Sequence, residues 1–145
     1  MGNQMRYQLT LIMSGSVWFV IAGLVGHAVP VFGNLWFPHL IVAVITGLAV
    51  GNIIRPLLSR YFGTRKWFLL PLLSLFLGSA IFGILVPVSW QVVAWLKDGS
   101  VSLKGNVFYM LPALMVFYSM TIYLITFYPL ALLNNWIIYR FTRSE

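Results

Sequence analysis

The chain contains no cysteine and only two carboxylates, Asp98 and Glu145. Without thiols it has no disulfide, no thiolate metal site, no cysteine nucleophile and no palmitoylation. Neither acid lies inside a long apolar run. Proton-coupled carriers, pumps and cation channels place a buried Asp or Glu in the bilayer, where a costly charge marks function. The same scarcity denies any serine its acid–base relay. General acid–base work would fall to His27 and His39 alone. The chain therefore reads as a non-enzymatic protein.

Charge of either sign is also scarce, at 8% of 145 residues against 61% apolar. Soluble domains carry about 25% charged and about 45–50% apolar residues. A soluble fold of this size cannot hide so much apolar surface, so lipid must cover part of it. The net charge of +7 would suggest nucleic acid in a soluble protein. Here the cations flank apolar runs, so membrane topology explains them and no nucleic-acid partner is expected. No repeat or low-complexity tract divides the chain, which reads as one domain.

Four segments reach the roughly 20 apolar residues needed to cross a hydrocarbon layer of about 30 Å. They are 9–29, 36–54, 67–90 and 107–133, giving an all-α, four-span helical bundle. The first run is longer than the ~7–15 residues of a signal-peptide core and is expected to stay as a span. A myristoylation motif fails because Arg6 stands where Ser or Thr is required. Pro71, Pro87, Pro112 and Pro129 lie toward span ends, where a missing N–H is tolerated. Of nine Lys and Arg, Arg6, Arg55, Arg60, Arg65, Lys66, Arg140 and Arg143 fall on one side. Only Lys97 and Lys104 fall on the other. The positive-inside rule then puts both termini and the 55–66 loop in the cytoplasm of a bacterial-type inner membrane. Trp36, Trp67, Trp90 and Trp95 mark the interfaces. The outer loop at 91–106 reads as a hairpin, with Asp98-Gly99 as its tight turn.

Small residues recur at four-residue spacing. Ala43, Gly47 and Gly51 do so on the second span, Ser74 with Gly78 and Ser79 with Gly83 on the third, and Ala22 with Gly26 on the first. This spacing lets backbones approach, so the second span is expected to be the closest packed. Self-association is the other use of such seams. On the fourth span Ser119, Tyr123 and Thr126 share one helical face, a possible polar lining for a solute. Asn52 is placed to meet Asn134 or Asn135, since a buried amide must find partners. His27 and His39 fall at similar depth near the outer face. Two imidazoles suit a metal or a haem, but further ligands are lacking. No metal or cofactor is expected, and the pair reads as interfacial histidines or an outer gate. Arg55, Arg60, Arg65 and Lys66, among Tyr61, Phe62 and Trp67, suit an anionic inner leaflet at about 1 kcal/mol per cation. They also suit the acidic segment of a partner.

These features point to a small inner-membrane protein that binds another membrane protein, or itself, as an accessory, regulatory or immunity-type partner. The alternative is an oligomeric channel or carrier for a neutral or anionic solute.

Overall fold

A computed structural model describes residues 2–25, 36–99 and 105–142. Within them the chain is all helical, with no strand and five α-helices: α1 (Gly2–Val25), α2 (Trp36–Tyr61), α3 (Leu70–Asp98), α4 (Val107–Met120) and α5 (Leu124–Thr142). A 3-10 turn, Arg65–Leu69, leads into α3. The first three helices are each long and apolar enough to cross a membrane. A fourth crossing exists if α4 and α5 count together as one span, and these two meet at 87°.

That bend is the main departure from the sequence reading, which takes 107–133 as one helix. Helix stops at Met120, and Tyr123 N–H bonds the Tyr118 carbonyl across a widened turn. No glycine or proline sits at the break. Thr121, Ile122 and Tyr123 are poor helix formers by their χ1 restriction, and Thr121 Oγ1 bonds back to the Phe117 carbonyl at 2.5 Å. Irregular backbone at membrane depth is tolerated only when protein or a cavity surrounds it. At this break Tyr123 turns to a cavity described below, while Thr121 and Ile122 are exposed.

Two loop assignments are also corrected. Residues 91–98 continue α3 instead of forming a hairpin arm. Gly99 adopts φ 63°, and its N–H bonds the Trp95 carbonyl, so Asp98-Gly99 ends a helix in a left-handed cap. A hairpin turn and this cap demand the same positive φ, which is why the dipeptide alone misleads. Helix α2 likewise runs on past 54 through Pro56 to Tyr61, shortening the 55–66 loop to a turn at Gly63, φ 79°.

Packing follows backbone proximity. α1 and α2 lie together along their length, α3 packs on α2, and α4 packs on α3. α5 touches α1, α2 and α3. The larger core cluster joins Tyr7, Leu11, Ile54, Leu58, Leu70 and Ile138. It holds together the start of α1, the end of α2, the start of α3 and the end of α5. The Lys and Arg side chains of these segments are thereby gathered at one end of the molecule. The second cluster, around Leu75, Phe127 and Ala131, sits under the bend.

Candidate functional site

The α1–α2 seam brings two backbones into close approach. A Cβ on Gly47 would stand 2.8 Å from the Gly15 Cα, and one on Gly15 would stand 2.5 Å from the Ala43 carbonyl oxygen. Ala43, Gly47 and Gly51 are thus spent inside the molecule, on α1. Gly15 is missed by spacing rules, because Leu11 and Phe19 are its neighbours at four residues and neither is small. The other small residues divide by role. Gly83 faces Pro112, whose Cα would lie 2.6 Å from an added Cβ, so it fixes α4 on α3. Gly78 has nothing within 4 Å of that position. Ser79 Oγ returns to the Leu75 carbonyl, at 2.7 Å.

Amides tie the helices together, with partners other than those expected. Asn52 Oδ1 accepts from Gln8 Nε2 at 3.4 Å, and Asn52 Nδ2 donates to the Leu48 carbonyl. It meets neither Asn134 nor Asn135. Asn134 Oδ1 accepts from Ser14 Oγ at 2.8 Å. Asn135, fully buried, donates to Ser74 Oγ at 2.9 Å. Each pair crosses between helices, and the part-buried pairs of Asn134 and Asn135 do so where a lone amide would be costly.

Between the two core clusters lies a cavity of about 350 Å³. Every helix contributes: Ser14 and Trp18 from α1, Thr46 and Val50 from α2, Leu75 and Gly78 from α3, Met115 and Ser119 from α4, Tyr123 from the break and Phe127 from α5. The wall is mostly carbon and holds no Asp, Glu, Lys, Arg or His. Every fully buried side-chain N or O among the described residues is hydrogen-bonded. The Ser119 and Tyr123 hydroxyls have no hydrogen-bond partner among the described residues, so they remain open to contact. Ser119 and Tyr123 thus meet at this cavity, as does Ser79. Thr126 is exposed on α5, since the break removes the common helical face.

His39 is 1% exposed and its Nε2 accepts from the Trp90 indole N–H at 3.0 Å. Indole only donates, so this nitrogen carries no proton in the bond. His27 lies outside the described residues. No three His, Cys, Asp or Glu side chains gather among the described residues. Trp90→Phe removes the donor while keeping an aromatic ring, and leaves a buried acceptor short of one partner. The expected loss is about 1–3 kcal/mol, read as a lowered midpoint in mixed-micelle unfolding. An unchanged midpoint would show that the bond contributes nothing.

At the cationic end, aromatic rings hold the charges. The Arg55 guanidinium lies 4.6 Å from the Tyr7 ring centroid. Arg60 and Lys66 both lie over Tyr61, at 5.5 and 5.3 Å, and Arg140 lies over Trp136 at 5.4 Å. Phe62 stacks on Tyr139 at 3.6 Å, with Trp67 edge-on to both. Arg65 is exposed at the start of the 3-10 turn. Comparison with family models, curated proteins and solved structures finds no match.

Proposed function

We propose that the chain is a four-span protein of a bacterial-type cytoplasmic membrane, with its fourth span broken and its cationic end and both termini in the cytoplasm. It acts without catalysis, as an accessory or regulatory partner of another membrane protein or of a second copy. The observation that carries this reading is α4. None of its 14 residues is buried, it leans chiefly on α3, and it turns Tyr109, Met110, Leu114 and Phe117 outward. Helix association in lipid depends on close van der Waals fit. The small-residue seam of α2, the other surface suited to a partner, is already filled by α1, which leaves the bulky α4 face. The basic end fits an anionic inner leaflet or an acidic partner segment.

The thiol-free chain permits a clean test with single cysteines. Ser59→Cys, at the cationic end, is expected to react with an impermeant reagent only after the cells are opened. Gly105→Cys, before α4, is expected to react in intact cells. In membranes, Leu114→Cys on α4 should form cross-linked adducts of higher mass, and exposed Val20→Cys on α1 should not. Reversed labelling would sink the orientation, and equal adducts from both positions would sink the α4 face.

A second reading, a carrier or channel for a neutral or anionic solute, draws support from the cavity beside a broken span. Discontinuous helices form the substrate sites of many transporters. The wall's lack of cations argues against an anion. Solute flux in proteoliposomes of the purified protein is its test.

A further inference from the structure

The cavity is drawn out along the helices. On α2 its wall runs from Ala43 to Ile54, about 16 Å at 1.5 Å per residue. A volume of about 350 Å³ over that length makes a slot, at the small end of the ~300–1,000 Å³ of ligand sites. The slot has a side opening that the bend creates. In an unbroken four-helix arrangement the fourth span would lie along the first. Here α5 packs on α1, while α4 turns away and packs on α3. Ala22 of α1 and Tyr118 of α4 line the slot and are exposed as well, so they stand at its lateral mouth.

We propose that this slot takes the aliphatic chain of a neutral lipid, admitted sideways between α1 and α4, with an ester or hydroxyl oxygen of that lipid held by Ser119 and Tyr123 at the break. The wall selects this chemistry. A sugar or other polyol would lose water from many hydroxyls and find few partners among carbon walls. An anion would find no cation. A chain with one oxygen function satisfies the wall and uses Ser119 and Tyr123, two of the lining hydroxyls left unengaged among the described residues. The inference rests on the membrane setting proposed above but not on any protein partner, so it is tested on the isolated chain.

The full chain in non-ionic detergent, titrated with monoolein and followed by native mass spectrometry, should show one saturable adduct per chain. Gly78→Leu projects a side chain into open space in the slot and should weaken that adduct at least ten-fold. Ser119→Ala should weaken it about five-fold, the scale of one hydrogen bond. A parallel titration with anionic phosphatidylglycerol tests the neutral headgroup: no Gly78-sensitive adduct is expected there, and one as tight as that with monoolein overturns the choice of a neutral lipid. No saturable adduct with monoolein, or one indifferent to Gly78→Leu, overturns the proposal. If Gly78→Leu fails to fold, the Ser119→Ala, Tyr123→Phe double variant decides instead, and unchanged affinity overturns the proposal equally.

Discussion

Gly47→Leu is expected to separate α1 from α2 and to destabilise the protein by about 3 kcal/mol, the upper end of what overpacking costs. The first added carbon already meets backbone, namely the Gly15 Cα at 2.8 Å, the Gly15 nitrogen at 2.9 Å and the Leu11 carbonyl oxygen at 2.9 Å. Backbone cannot rotate out of the way, so the helices must part along their whole shared length. Packing is the main force holding helices together in lipid, so that separation removes what holds α1. The neighbouring glycines supply the controls. At Gly51 the added carbon meets the end of the Leu11 side chain, which can swing aside, so Gly51→Ala should cost less. At Gly78 it meets nothing, so Gly78→Ala should be neutral or stabilise by up to about 1 kcal/mol through helix propensity. Unfolding of each variant in mixed micelles should rank Gly47→Leu as most damaging, then Gly51→Ala, then Gly78→Ala. Equal losses at all three would mean that the close approach is not what holds the helices.

Half of that seam was legible in the sequence and half was not, for a definite reason. Ala43, Gly47 and Gly51 announce a smooth strip because they repeat. Gly15 stands alone between two serines and repeats with nothing, yet it is the residue the strip was made for. Long apolar runs located α1, α2 and α3, since span length is set by bilayer thickness and not by local chemistry. The helix ends were less legible. Asp98-Gly99 serves a hairpin and a helix cap equally well, and only the uninterrupted helix before it decides. The bend at 121–123 is harder still. Its signal is a run of poor helix formers, Thr121, Ile122, Tyr123, Ile125 and Thr126, in a segment where hydropathy says only that lipid or protein surrounds it. Without the bend there is no side opening, and Ser119, Tyr123 and Thr126 would share one face. The candidate site therefore lay beyond the sequence even though several of its polar residues, Ser119 and Tyr123 among them, were named from it.

Tyr7→Ala is expected to destabilise the molecule by about 3–5 kcal/mol, as for other buried aromatic truncations, and Tyr7→Phe by only about 1 kcal/mol. The two numbers separate the ring from its hydroxyl. Tyr7 is fully buried four residues before Leu11, and the two pack against Ile54, Leu58 and Ile138. Its hydroxyl donates to the Gly51 carbonyl at 2.9 Å, while the Arg55 guanidinium covers its face at 4.6 Å. One side chain thus fastens the start of α1 to the glycine seam and steadies a cation that the topology argument counts as cytoplasmic. Removing the ring opens a void that α1 cannot close while Gly15 and Gly47 hold it in place. The same change withdraws the π face from Arg55, a contact worth about 0.5–2 kcal/mol. A double-mutant cycle with Arg55→Gln measures that share directly. A coupling near zero would leave Arg55 serving topology alone. A Tyr7→Phe loss as large as that of Tyr7→Ala would place the whole contribution in the hydrogen bond to Gly51, contrary to the packing argument.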